Sequence, residues 1–205
     1  MKFPKMSKTL SKATASHAGR ITLVAVPVGI IAASLLGGVA QGAVPVSFAV
    51  SGSQFQIGAS QLEGTGFSQY AGVATDSEGV EHTVAIANIK SATLSDLCQS
   101  VITETPLGTV GVLIKAGGDG KPASASDLQI GMTGLKGDAS FGQIRIGVDA
   151  STVNTEARGS AGDFAQDSDT ISIENLQQTA WSTQASVFTL TGMTLELTDG
   201  SQGCF

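Results

Sequence analysis

Very few side chains in this sequence could perform acid–base or nucleophilic chemistry. A serine hydrolase needs a nucleophile, a general base and an acid that orients the base. Beyond the first 43 residues His82 is the only histidine, and no Gly-x-Ser-x-Gly elbow is present to expose a nucleophile. His82 also ends a polar segment, Val73–His82, of the kind that forms surface loops. We therefore assign no catalytic residue and expect His82 to be a solvent-exposed loop residue.

Carboxylates are the second group that could carry chemistry. Asp163, Asp167 and Asp169 lie close together in the sequence, and clustered oxygen ligands suit calcium. No EF-hand or calcium-binding nonapeptide accompanies them, so a solvated acidic loop explains Asp163–Asp169 better, with calcium binding left open. One histidine and two cysteines are too few for a typical zinc site, and no phosphate-binding glycine motif occurs. We predict no metal and no cofactor.

The two cysteines, Cys98 and Cys204, are the remaining reactive groups. An even count in an exported chain favours a disulfide between them. Such a bond would tie the C-terminus to the middle of the chain. In the chain-entropy model a loop of this length is worth about 4–5 kcal/mol of stability.

The first 43 residues differ from the rest and predict export. They contain five basic residues and no acidic residue, and they lead into the apolar run Ile21–Val39. This pattern is typical of a secretory signal cleaved after Ala40 or Ala43, and an uncleaved N-terminal membrane anchor helix is the alternative. Either way residues 44–205 form the exported domain, because the basic flank stays inside. The protein is then secreted or tethered to the outer face of the cytoplasmic membrane.

The charge of residues 44–205 restricts the partners. Six basic residues remain against 17 acidic ones, which gives a net charge of −11. Nucleic acids and anionic membranes both require a basic surface. We therefore predict no nucleic-acid partner.

A repeated phrase organises the exported domain. Phe55–Gln69 and Leu128–Gly147 share apolar residues and a Gly…Phe pair in the same order, and repetition of this kind indicates a structural unit that is used again. A shorter form, apolar-x-apolar-x-x-apolar, occurs at Val84–Ile89, Ile171–Leu176 and Phe188–Met193. The expected core, or a lipid-facing surface, consists of Phe55, Ile57, Leu62, Phe67, Leu128, Ile130, Leu135, Phe141 and Phe188.

These units predict a mainly β domain. The 26 glycines and the alternation of apolar residues favour short strands with tight turns. Repeated strand–corner units fit a β-solenoid-like stack or one long curved sheet, with a β-sandwich as the alternative. Ser91–Ile102 has a helical apolar stripe and is expected to be a short helix or a covered strand. Ala116–Lys121 is expected to be a hairpin turn.

Several longer motifs resemble those of a known family. They are SFAVSGS (Ser47–Ser53), LEGTGFSQY (Leu62–Tyr70), DLCQSV (Asp96–Val101), TPLG (Thr105–Gly108), Leu135–Ala150 with its IGVDA ending, and LQQTAW (Leu176–Trp181). Together they resemble an uncharacterised family of secreted actinobacterial, streptomycete-type proteins that are often labelled cholesterol esterase. The resemblance implies export, a two-cysteine domain and a neighbouring gene for a small multi-pass membrane protein. The esterase label has no matching triad in this sequence.

We therefore expect an exported, non-catalytic structural or binding protein of the cell envelope. Its expected partner is a second copy of itself or a membrane protein of the envelope, with which it would associate through sheet edges or an apolar face. A lipid- or sterol-binding module is the alternative, since an apolar face inside a curved sheet can hold a lipid. An esterase acting on lipid esters is a third hypothesis, which rests on the family label alone.

Overall fold

A computed structural model of the chain describes residues 48–50, 52–106 and 108–205, and the expected signal or anchor in residues 1–43 lies outside them. The described part is built of strands, and its only helical element is one 3-10 turn, Ala150–Thr152. The strands are β1 (Phe48–Val50), β2 (Phe55–Asp76), β3 (Glu81–Ser95), β4 (Leu97–Thr105), β5 (Gly108–Ala116), β6 (Ala123–Gly142), β7 (Arg145–Asp149), β8 (Phe164–Gln184), β9 (Val187–Thr189) and β10 (Thr194–Thr198).

Four long strands close into a small barrel. β2 pairs with β3, β3 with β6 and β6 with β8, and the first residues of β2 pair with the middle of β8 to complete the ring. All four pairings are antiparallel. The prediction of a mainly β domain is confirmed. The solenoid-like stack is not confirmed, because the sheet closes on itself instead of stacking coils.

A second part of the sheet extends away from the barrel, and we call β4, β5 and β10 the wing. β4 pairs with the start of β2, β5 pairs with β4, and β10 pairs with β5. β3 and β4 follow one another along the same edge of β2, separated by Asp96. Three short strands complete the sheet: β1 beside β2, β7 beside β8 and β9 beside β6.

The barrel wall is buried on both faces in its central part. The inner face forms the main core, which includes Leu62, Ile89 and Leu128. On the outer face a second cluster, with Tyr70 and Ile86 among its members, is covered by the segment after β7. Ala150 and Val153 of that segment belong to this cluster and are almost fully buried.

The segment Ser91–Ile102 is strand rather than helix. Its apolar spacing arises because Asp96 has a positive φ of 51° and interrupts the pleat between β3 and β4. Leu94 and Leu97, three residues apart, therefore both belong to the main core. The prediction of a hairpin turn at Ala116–Lys121 is wrong, because this segment joins β5 and β6, which pair with β4 and β3 and not with each other.

The first copy of the repeated phrase lies within β2, whereas the second copy begins in β6 and continues past Gln143 into β7. Gly64 sits in the middle of β2, where a Cβ would come within 2.5 Å of Cγ2 of Ile89. The copies are also not equivalent in burial, since Leu62 is 2% exposed whereas Leu135 is 44% exposed. Leu135 follows register shifts in the pairing of β6 with β8, which separate it from the buried register of Ile130.

Candidate interaction surface

One face of the wing continues the inner face of the barrel into solvent. Phe55 lies opposite Val101, Val101 lies opposite Val112, and Val112 lies opposite Leu197, so these side chains share one face. The exposure of this face rises outward: Val101 and Val112 are half-buried, while Leu195 is 55% exposed and Leu197 is 73% exposed. We call this the open wing face; it consists of Val101, Val110, Val112, Ile114, Leu195 and Leu197.

The opposite face of the wing is covered by the C-terminal segment, residues 199–205. Cys98 and Cys204 form a disulfide that fixes this segment to β4. The backbone N–H of Cys204 also donates to Oε1 of Gln56 at 3.1 Å and to Oγ of Ser100 at 3.2 Å. Leu113, which points to this side, is only 4% exposed. The two wing faces therefore differ, because one is sealed and the other is open.

The wing also ends in a free strand edge. Among the described residues β10 pairs only with β5, and it is the last strand in the order of the sheet. A free edge presents unpaired backbone N–H and C=O groups that can add another strand. In natural proteins a charged side chain commonly protects such an edge, and Glu196 is the one charged residue of β10. The open wing face and this edge meet along β10.

The barrel interior is filled by its own side chains. Of the nine residues predicted as core or lipid-facing, Ile57, Leu62, Phe67, Leu128 and Ile130 are buried inside the barrel. Phe55 and Phe141 are half-buried against the same core, and the Phe141 ring lies 5.5 Å from the ring of Phe67. Leu135 and Phe188 are at the surface.

Two polar groups lie within this interior. The Nε2 of Gln178 and the Oγ1 of Thr183 are buried without a partner among the described residues, and both line a small apolar cavity. The volume of that cavity is about 10 Å³. A space of this size holds about one water molecule, which could satisfy both groups. A larger opening, of about 620 Å³, lies between β2–β3 and β6–β8; half of its lining residues are serine or threonine, and the others include Ala92 and Ile171 of the main core.

His82 is not the exposed loop residue that the sequence predicts. It lies in β3, its ring stacks on Trp181 with centroids 3.8 Å apart, and its Nε2 is 2.9 Å from Oδ2 of Asp76. The hydrogen bond from His82 lowers the pKa of the Asp76 carboxyl, and the backbone N–H groups of Val80 and Glu78 add to this effect. Within the described ranges the His82 ring has no hydroxyl partner. The hydrogen bond between Asp76 and His82 spans the turn that joins β2 to β3.

The acidic segment is also ordered differently from the expected solvated loop. Asp167 lies in β8 with its side chain fully buried, and it accepts hydrogen bonds from Nε of Arg145 at 2.8 Å and from the backbone N–H of Asn154 at 2.7 Å. The Arg145 hydrogen bond lowers the pKa of this carboxyl. Asp163 and Asp169 are exposed. In the described part of the chain no three His, Cys, Asp or Glu side chains are placed to hold a metal ion.

The sequence prediction missed Leu195 and Leu197 as surface residues. Their alternation indicates a strand, but alternation alone does not say whether the apolar side is covered. The signal that was available is the charge between them, since Glu196 interrupts an otherwise uncharged strand and suits an edge.

No helix among the described residues is long and apolar enough to cross a membrane.

Comparison with known proteins identifies a family for the chain. No curated protein and no solved structure matches it. One family model, described as a family of unknown function, matches residues 51–205, a range that includes both cysteines, the barrel and the wing. This match confirms the prediction of an uncharacterised family, while the actinobacterial origin and the esterase label remain predictions. The chain belongs to the family of unknown function DUF6230.

Proposed function

We propose that this protein is an exported structural or binding protein of the cell envelope that holds a partner on its open wing face. The observation that carries the proposal is the exposure of Leu195 and Leu197 on a rigid, hydrogen-bonded strand at the end of the sheet. Contiguous exposed apolar side chains on a folded domain usually mark an interaction surface. The partner is a second copy of the chain or a membrane protein of the envelope.

The covered face of the wing supports this role. The disulfide and the C-terminal segment seal one side and hold the three wing strands together, so the open face is presented in a fixed shape. A preformed surface loses little conformational entropy when it binds. A disulfide also suits an oxidising compartment outside the cytoplasm, which agrees with the proposed export.

The lipid- or sterol-binding alternative has weaker support. Such a module holds its ligand in a cavity that commonly measures 300–1,000 Å³ and is mainly apolar. The cavity inside the barrel measures about 10 Å³, and half of the residues that line the opening of about 620 Å³ are serine or threonine. The esterase hypothesis, which rests on the family label alone, would need His82 as its base, and the ring of His82 is held between Asp76 and Trp181.

Export and location can be tested together in the producing cells. We expect N-terminal sequencing of the protein to find cleavage after Ala40 or Ala43, or an intact anchor, and fractionation to find the protein outside the cytoplasm. An uncleaved protein that fractionates with the cytoplasm would contradict the proposal.

Retention at the cell surface tests the open wing face. Replacing Leu197 by lysine places a charge in the proposed contact, and we expect it to increase the fraction of protein that washes off the cells. Ile146→Lys is the matched control, because Ile146 is 66% exposed on β7, at the opposite end of the strand order. If both variants are retained like the wild type, the open wing face is not the functional surface.

A further inference from the structure

We propose that β10 binds β10 of a second copy of this chain, antiparallel, about a two-fold axis that passes beside Leu195. This inference rests on the proposed function and names its partner. The two wings would then form one continuous six-stranded sheet whose strand order is β4-β5-β10-β10-β5-β4. An interface of this kind uses the same patch on both subunits, so the strand must be complementary to itself.

The free edge of β10 supplies the backbone groups for this pairing. β10 runs from Thr194 to Thr198 and has β5 on one side only, within the described residues. In the proposed register Thr194, Leu195 and Glu196 pair with Glu196, Leu195 and Thr194 of the second copy, respectively. Glu196 is the one feature of β10 that usually protects an exposed edge, since the strand has no bulge, proline or lysine.

Charge selects the register of the pair. In a register centred on Glu196 the two Glu196 carboxylates would lie directly opposite each other, which is unfavourable. Centring on Leu195 instead places Glu196 opposite Thr194 of the second copy. Thr194 lies opposite Lys115 in the β5 pairing. Glu196 and Lys115 of the second copy then share one sheet face, two strand spacings or about 9–10 Å apart, within reach of two long side chains.

The third register, centred on Leu197, gives Glu196 no basic partner in the second copy. It places Glu196 opposite Thr198 of the second copy, and Thr198 lies opposite Gly111 on β5, which has no side chain to offer a charge. Only the Leu195-centred register therefore joins an acidic residue to a basic residue across the axis, and symmetry makes this contact twice.

The same register also covers apolar surface. Leu195 would lie opposite Leu195 of the second copy, and Leu197 would lie opposite Met193, the residue directly before β10. These three residues are 55%, 73% and 51% exposed, respectively. Cross-strand apolar pairs contribute on the order of 0.2–1 kcal/mol each, and the row is backed by Ile114 and Val112 on β5. The polar and apolar faces of β10 thus specify one alignment.

Cysteine cross-linking tests the register in the full chain with its native disulfide intact. Directly opposite strand residues have Cα atoms about 4.5–5.5 Å apart, which a disulfide can bridge. We expect Leu195→Cys to form a covalent dimer faster than Glu196→Cys or Leu197→Cys under mild oxidation. Faster dimer formation by either of the other two variants would overturn the proposed register. No dimer from any of them, with monomeric wild type by sedimentation velocity, would overturn self-pairing.

Charge exchange gives an independent test. Glu196→Lys and Lys115→Glu should each weaken dimerisation about tenfold, since each creates two like-charge contacts, and the double exchange should restore it. The melting temperature of the monomer is the control, because Lys115 is also a diagonal neighbour of Glu196 within one subunit. Weakening without restoration in the double variant would overturn the charge pairing. Loss of cell-surface retention in Leu197→Lys, with no dimer in any assay, would leave the proposed function standing and refute only self-pairing.

Discussion

At the scale of single residues, the glycine of the repeated phrase has a packing role. The Gly…Phe pair suggests a corner with an aromatic plug, but Gly64 has neither a positive φ nor a turn around it. It allows close approach, since Ile89 and Ile171 occupy the space that a side chain would need. Sequence can identify such a glycine, but it cannot distinguish a turn from a close contact, because both need the absence of a Cβ.

Gly64→Ala should therefore destabilise the protein by about 1–3 kcal/mol, the usual cost of overpacking a core. Its new methyl group would lie 2.5 Å from Cγ2 of Ile89 and 3.2 Å from the carbonyl oxygen of Ser91. Gly134→Ala is the matched control, because nothing lies within 4 Å of its Cβ position. Chemical denaturation measures both; equal stabilities for the two variants would contradict the packing role.

Asp167 makes a pH-dependent contribution that the sequence does not reveal. Its pKa is lowered in the folded state by Arg145, so its contribution is present above the unfolded carboxyl pKa of about 3.9 and is lost as the pH falls below that value. Asp167→Asn should lower the free energy of unfolding by about 2 kcal/mol at pH 7, the size of a hydrogen bond to a charged group.

The variant should lose less of its remaining stability than the wild type between about pH 5 and pH 2, because it has one fewer carboxylate to protonate. Denaturation at several pH values provides the comparison. A constant difference between the two proteins across this range would show that folding does not lower the pKa of Asp167.

At the scale of elements, alternation predicts strands well and their partners poorly. The alternating residues around Phe55, Val84 and Leu195 do lie in β2, β3 and β10. The helical spacing of Leu94 and Leu97 misleads, since one positive-φ residue between two strands changes which face is buried. A single such residue has no signature in a sequence, and tertiary packing decides the outcome.

The C-terminal segment is the element whose stability depends most on one bond. Cys98→Ser and Cys204→Ser should each destabilise the protein by up to about 4–5 kcal/mol under oxidising conditions, because the disulfide closes a long loop. Each variant should also expose Leu113, and hydrogen exchange at β5 and β10 should rise more than in the barrel strands. An equal rise in both regions would contradict a local role for the bond in the wing.

At the scale of the whole molecule, closure of the barrel could not be predicted. It depends on the pairing of Phe55–Ala59 with Leu176–Ala180, more than 100 residues later in the chain. No local pattern encodes a pairing over such a separation. The candidate surface has the same origin, since the open wing face exists only because β10 returns to β5 after the barrel is complete.

The filled barrel leads to a prediction about ligands. Native mass spectrometry of the protein after incubation with a lipid extract should find no bound lipid, because the interior cavity measures about 10 Å³. Leu128→Ala is a companion variant in this experiment, because Leu128 lines that cavity and its truncation would enlarge it. A lipid bound to the wild type at a fixed stoichiometry would contradict the account of a filled interior.

The central claim is that the open wing face is where this protein meets its partner. Photo-cross-linking in the producing cells tests it most directly, with benzoylphenylalanine in place of Leu197 and, as the control, in place of Ile146. We predict a discrete cross-linked product, either the dimer or one envelope protein, from position 197 and none from position 146. A product from position 146 with none from position 197 would contradict the claim.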